Sequence, residues 1–327
     1  MSFGVIFHFG LYVIPAYDDL KSAKKRKIQN GSEWYLGRLL EKNTFLPISG
    51  YEQTQAFHKT NYGDKLYSDF ALEFLTDKEK DFDPDSWMKC VKEAGASYVI
   101  LTAKHHDGYC LWKTKTAPLY NSADVGCKID ILQKFKESAA NHGLKFGIYY
   151  SWFEFSKSFT KSYVENIVKP QIAELYNYAP DYFWFDGDWV INTKSGQASV
   201  DNIIIDIKEK FPNCKINDRI GNKKEKGDST FLGKADYRVW GDRYIPDFNP
   251  KVKWQHINTI GYSWGYNAQQ VSSDYKTASQ LYDLYKTVID LKGDFLLNLG
   301  PKADGELNQT ESTILKDFGK LVKQYTV

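Results

Sequence analysis

Residues 144–150 read LKFGIYY, and beyond the amphipathic stretch Lys161–Tyr178 the chain continues with YFWFD at 182–186. Two short runs rich in aromatic and aliphatic residues, joined by a helical stretch, read as a strand–helix–strand unit. A crossover of that length makes the two strands parallel, since an antiparallel pair needs only a tight turn. The alternation continues on both sides. Further strand candidates are Val5–Phe9, Tyr98–Ala103, Lys215–Asn217, Asp236–Trp240, Trp254–Asn258 and Phe295–Leu299. Helices are expected at Pro84–Ala94, Asp130–His142, Val200–Lys210 and Ser279–Leu291. Eight strands alternating with helices predict an α/β fold, a (β/α)8-like TIM barrel over residues 1–327, rather than an open sheet.

Most of these strands end in polar side chains. His8 lies at the end of the first and Lys104-His105-His106-Asp107 follows the second; Tyr149-Tyr150-Ser151, Asp186-Gly187-Asp188 and Asn217-Asp218-Arg219 close three others. In a barrel the strand C-termini converge on one rim, where active sites form. One polar strand end is mere termination; five together point to a site.

Composition narrows the partners. With 43 basic and 41 acidic residues the net charge is +2, which argues against a nucleic-acid binder. The basic stretch Lys21–Lys27 reads as a solvated loop or helix face. No apolar run approaches the ~20 residues that span a bilayer. Aromatic residues make up 16% of the chain, with nine tryptophans. Such rings fill cores, but their faces also stack on the C–H faces of sugars. Cys90, Cys110, Cys127 and Cys214 lack CxxC spacing and read as buried free thiols, as in a reducing compartment. No signal region is visible, so a cytoplasmic location is expected, or a secreted or periplasmic one if a signal peptide was removed.

The chemistry-bearing stretches are each ambiguous alone. YFWFDGDW at 182–189 ends an apolar strand in Asp186, a carboxylate among rings that suits attack on an anomeric carbon, or simply a loop Asp. His105 and His106 are adjacent, so on an extended strand they point to opposite faces. With His8 they compose either a three-histidine metal site or a set of hydrogen-bonding imidazoles. Glu33-Trp34-Tyr35 reads as a ligand-facing carboxylate beside two rings or as a helix start. Arg219 either braces a carboxylate or makes an ordinary ion pair, and Ser263-Trp264-Gly265-Tyr266 is a turn carrying two rings.

Taken in order, these stretches resemble the α-L-fucosidases of glycoside hydrolase family 29. The resemblance is carried by FGVIFHFGLYVIP (3–15), SEWY (32–35), FHKTNYGDKLYSDFA (57–71), TAKHHDGYCLW (102–112) and LKFGIYYSWFEF (144–155). WFDGDW (184–189), INDRIG (216–221), TIGYSWGYN (259–267) and LLNLGPKADG (296–305) complete it, across essentially the whole chain. It implies a retaining exo-α-L-fucosidase acting on fucosylated oligosaccharides or glycans, with Asp186 as nucleophile. By the same resemblance His8, Glu33, Trp34, His105, His106, Tyr150, Trp184, Arg219 and Trp264 line the fucose pocket. Tyr150 is preferred to Tyr149 within the YYS motif.

The resemblance leaves the acid/base open. Some relatives carry Glu in a WE pair before the SWGY block, but here the pair is Trp254-Gln255. Others use a Glu before Tyr near the sixth strand, where Asp236-Tyr237 stands. GDRYIP at 241–246 is similar to a segment of the short α-1,6-fucosidases whose Asp is the acid/base. Asp242 is therefore the first choice and Asp236 the second, and α-1,6-linked fucose the implied substrate. About twenty residues follow GPKADG, so a barrel without a C-terminal β-sandwich is expected. Two-carboxylate chemistry requires no metal, and no cofactor is expected. A homo-oligomer is possible. Two rival readings remain: a fucose-binding pseudoenzyme, which Gln255 keeps alive, and a metal-dependent barrel hydrolase built on the histidines.

Overall fold

The computed structural model describes residues 2–25, 30–40, 49–76, 82–221 and 232–325. Eight strands occur where the apolar runs lie: β1 (Phe3–Phe7), β2 (Tyr98–Lys104), β3 (Lys145–Ser151), β4 (Tyr182–Asp186), β5 (Lys215–Ile216), β6 (Arg238–Val239), β7 (Trp254–Thr259) and β8 (Asp294–Leu299). All pairings are parallel, in the order β5-β4-β3-β2-β1-β8-β7-β6. The two ends of that order meet through a parallel bridge between Asn217 and Tyr237. The Asp236 N–H also donates to the Ile216 carbonyl at 2.8 Å, which closes the barrel. β5 and β6 are shorter than their apolar runs suggested.

Parallel strands covered on both faces read as continuous apolar runs, and the pleat then sorts them. Ile6, Tyr98, Ile100, Tyr149, Trp184, Tyr237, Val239, Ile257 and Leu296 pack together inside the barrel. Their sequence neighbours Val5, Phe7, Val99, Leu101, Ile148, Tyr150, Phe183, Phe185 and Leu297 face outwards into the helical layer. Only the inward set reaches the rim cavity, so this period of two decides which polar side chains take part in the site.

Helices cover the outer face. Asp85–Glu93, Ile131–Asn141 and Ala278–Asp290 match the amphipathic stretches to within a residue at each end, while Lys194–Lys210 begins six residues before the expected Val200. Asp130, Thr193 and Thr277 cap three of them by accepting from Gln133, Gly196 and Gln280 N–H groups. The stretch 161–178 is helical throughout, but a wide π turn at Val164–Val168 precedes Pro170, whose missing N–H prevents regular helix bonding there. The terminal helix Gln309–Tyr325 was not anticipated, although Leu315, Phe318 and Val322 mark its buried stripe. It packs on Asp85–Glu93 and Ala278–Asp290. Gly319 allows the approach, since a Cβ there would lie 2.4 Å from the Ala94 Cα. Of the basic stretch, Leu20–Lys25 is helical, with Lys24 paired to Asp274 at 2.7 Å; Arg26 and Lys27 lie outside the described residues.

Candidate active site

β4 ends at Asp186, whose side chain follows Trp184 to the inside of the barrel. Gly187 turns the chain away at φ 77°, and a Cβ there would stand 2.7 Å from the Phe153 Cβ. Tyr149 OH donates to Asp186 Oδ2 at 2.8 Å and Arg219 Nη1 donates to Oδ1 at 2.7 Å. The other arm of the same guanidinium, Nη2, is bonded to Asp242 Oδ1. One arginine therefore bridges two carboxylates, drawn from the ends of β4 and β6. Arg219 lies 4.7 Å over the Trp184 ring, Trp184 stacks on Tyr149 at 5.5 Å, and Tyr149 on His105 at 5.6 Å. Four consecutive strands thus supply one column of flat groups below the rim.

The protonation states follow from burial and charge. Burial alone would raise Asp186, but the Arg219 charge and the bonds from Arg219 and Tyr149 prevail and hold it below the usual carboxylate range. Burial lowers His8 and His106 to about 4 and holds His105 well below the usual imidazole range, so all three imidazoles are neutral near pH 7. Asn298 Nδ2 donates to the Trp264 carbonyl at 2.7 Å, which turns its Oδ1 to His8 Nδ1 at 2.6 Å. His8 accordingly carries its proton on Nδ1 and offers Nε2 as an acceptor. His106 Nδ1 lies 2.7 Å from Ser151 Oγ, and its Nε2 lies 3.8 Å from Asp186. The buried His105 Nδ1 has no hydrogen-bond partner among the described residues. Among those residues no three His, Cys, Asp or Glu side chains gather to hold a metal ion.

Glu33 acts between loops. Its Oε1 accepts from Gly31 N–H at 2.6 Å, while Oε2 accepts from Trp264 and Gly265 N–H at 3.2 and 3.1 Å. Burial raises its carboxyl against those bonds. The segment after β1 is thereby tied to the turn after β7, which seats Trp264 against His8 at 5.3 Å. Trp34 stands edge-on to His106 at 5.5 Å. His8, Trp34, His105, His106, Trp184, Arg219 and Trp264 are thus brought together around Asp186, while Glu33 fastens the loops that carry Trp34 and Trp264.

Tyr150 is not. It faces the helical layer, donating to Gln171 Oε1 at 2.7 Å and accepting from Lys104 Nζ at 3.1 Å. The pleat puts Tyr149 on the Asp186 side instead, so the tyrosine of the YYS motif that meets the carboxylate is the first. Asp236 is also elsewhere: it precedes β6, at the opposite end of the barrel, bonded to Lys208 and to Ile216 N–H. Gln255 sits inside the barrel beneath the rim, accepting from Trp184 Nε1 at 2.9 Å and donating to Tyr98 OH at 2.8 Å.

Beside the two carboxylates opens a cavity of about 410 Å³ whose walls include Trp189 and Trp240. Nothing in the sequence sets Trp240 apart, while Trp189 stands in the WFDGDW stretch without an evident role. Arg243 was also missed. It holds φ 60°, donates its N–H to the Ile257 carbonyl at 3.0 Å and lays its guanidinium 4.5 Å over Trp264. It thereby fastens the loop bearing Asp242 to β7 and to the pocket wall.

Paired carboxylates on the C-terminal rim of a (β/α)8 barrel, among neutral imidazoles and aromatic rings, mark a barrel glycoside hydrolase. Residues 1–326 match the family described as Alpha-L-fucosidase. An alpha-L-fucosidase of Dictyostelium discoideum is 31% identical over 98% of this chain and 68% of its own length. The human tissue alpha-L-fucosidase is 28% identical over 93% of this chain and 62% of its own. The solved Thermotoga maritima alpha-fucosidase in complex with fucose superposes with a TM-score of 0.80 at 28% identity, over 99% of this chain and 73% of that one. The chain belongs to the alpha-L-fucosidase family. No helix among the described residues is long and apolar enough to cross a membrane.

Proposed function

We propose that this chain is a retaining exo-α-L-fucosidase that removes terminal α-L-fucose from glycans, α-1,6-linked fucose above all. The observation that carries the reading is the Arg219 guanidinium held between Asp186 and Asp242. A retaining pair stands about 5–5.5 Å apart, and two carboxylates on one guanidinium are close neighbours. Asp186, kept ionised by Arg219 and Tyr149, attacks the anomeric carbon and forms a glycosyl-enzyme. Asp242 delivers a proton to the departing oxygen from Oδ2, its Oδ1 being engaged by Arg219, and then takes a proton from the hydrolytic water. Its side chain is 40% exposed, which suits a group that must meet both the leaving group and water. His8 and His106 each keep Nε2 for the ligand, His8 as an acceptor from a sugar hydroxyl, and neutral imidazoles place no cation beside the developing oxocarbenium charge. Trp34 and Trp264 give apolar surface for the C5 methyl and the ring C–H groups of fucose, while Trp184, covered by Arg219 on one face and Tyr149 on the other, supports the pocket from beneath.

Asp186→Gly tests the reading. Turnover of an aryl α-L-fucoside should fall by roughly 10³-fold or more, and external azide should restore part of it as a fucosyl azide. Retention of more than about a tenth of wild-type turnover removes Asp186 from the role.

A further inference from the structure

A second cavity, of about 690 Å³, lies beside the first, between the loops that follow β3 and β4. Leu40, Phe155, Phe159 and Trp189 wall it, with Ser158 and Asn192 at its edge. Trp189 lines both cavities. Its indole meets His106, beside Asp186, at 5.5 Å and Phe153, which lines the second cavity, at 5.7 Å. Among the described residues no carboxylate borders the second cavity, and the cation among them, Lys157, is paired with Glu154 at 2.9 Å.

We propose that this groove is a binding site for the leaving-group glycan, seating a neutral sugar beyond the one that carries fucose. The proposal rests on the fucosidase reading and extends it. Three features select the occupant. A sugar ring presents apolar C–H faces with hydroxyls at its edges, and the groove offers the complement, flat rings bordered by a hydroxyl and an amide. The groove has the size of small-molecule sites, ~300–1,000 Å³. The sugar bonded to fucose must reach Asp242, in the cavity between Trp240 and Trp189; a chain continuing from there over Trp189 enters the groove. Fucose itself is held by groups on the barrel's inner face, so the groove does not serve the sugar that is cleaved off.

The test compares kcat/KM for an aryl α-L-fucoside, a fucosyl disaccharide and the same disaccharide extended by one sugar at its leaving-group end. The α-1,6 series is used, or whichever linkage the wild type cleaves fastest. Phe159→Ala and Leu40→Ser strip the groove walls; Ser158→Trp, at an exposed position, fills the groove and leaves the core untouched. Each should lower kcat/KM for the extended substrate about tenfold, mostly through KM, because a lost aromatic contact is of that order. The aryl fucoside and the disaccharide should stay within about twofold of wild type. Equal losses on all three substrates, or no loss on the extended one, overturn the proposal. A wild-type enzyme inert towards the aryl fucoside would instead sink the fucosidase reading beneath it.

Discussion

Strands β2 to β4 carry buried charge on both faces of their C-terminal ends, and the two clusters are built differently. On the outer face Lys104 Nζ meets Glu154 Oε1 at 2.9 Å, Tyr150 OH at 3.1 Å and Tyr163 OH at 3.2 Å. Lys157 takes the second Glu154 oxygen at 2.9 Å, and Lys104 and Glu154 are 0% and 3% exposed. Burial opposes the Glu154 charge, yet the two lysines pull its carboxyl down to about 2. On the inner face Asp186 and Arg219 are each 13% exposed and Asp242 is 40% exposed, beside an open cavity. Both clusters satisfy their charges. Only the inner one leaves room for a molecule to insert between them, and that free volume separates a catalytic cluster from a structural one.

Isosteric substitutions should break this contrast if it is wrong. Asp186→Asn should cost roughly 10³-fold or more in turnover and lower the unfolding midpoint only modestly near pH 7, because folding favours the ionised Asp186 but Arg219 keeps Asp242 as a partner. Glu154→Gln strands Lys104 as an uncompensated buried charge and should cost about 3–5 kcal/mol of stability. The folded fraction of that variant should retain near-wild-type kcat/KM. Denaturant unfolding and aryl-fucoside kinetics on both variants decide the matter. If Glu154→Gln abolishes turnover in folded protein, the outer pair is part of the chemistry and the contrast fails.

A smaller effect distinguishes the two ends of β6. Asp242→Asn should slow glycans, whose leaving groups need a proton, by about 10²–10⁴-fold, and an activated aryl fucoside far less. Asp236→Asn should do neither, because Asp236 serves Lys208 and the Ile216 N–H at the far end of the barrel. The opposite pattern would return the acid/base role to Asp236.

That pair also shows how much of the site the sequence disclosed. The eight strands were legible because parallel strands buried on both faces are unbroken apolar runs. The rim position of Asp186 and the histidines followed from where those runs stop. A strand read as Asp236–Trp240 already begins at Asp236, which puts that carboxylate on the wrong rim; geometry available in the sequence was enough to set it aside. The choice within Tyr149-Tyr150 was different. Adjacent residues face opposite ways, but the phase of a strand is not written in its own seven residues. It depends on register: Tyr149 pairs with Trp184, and Ser151 with Asp186, so the residues in phase with the nucleophile are the odd-numbered ones on β3. Trp189, Trp240 and Arg243 were beyond reach because loops after different strands bring them together. The helix Gln309–Tyr325 was legible by its period and overlooked.

The mildest expected effect falls within that tyrosine pair. Tyr149 OH donates to Asp186 Oδ2 and, together with Arg219, keeps the Asp186 carboxyl low. Tyr149→Phe removes one donor to the ionised form and leaves the ring stacked between His105 and Trp184. The Asp186 carboxyl should then rise, because the charged form alone has lost a stabilising bond. A nucleophile must be ionised, so activity is lost as pH falls through its pKa; a higher pKa moves the acid limb of kcat/KM to higher pH. The expected shift is about one pH unit, with kcat/KM on the plateau reduced about tenfold, the low end of the ~1.5–3 kcal/mol that a hydrogen bond to a charged group contributes, because Arg219 still holds the carboxylate. Tyr150→Phe loses its bonds to Gln171 and Lys104 on the other face, so it should lower stability and leave the acid limb where it was. A shifted limb in Tyr150→Phe with none in Tyr149→Phe would reverse the assignment of inner and outer faces on β3.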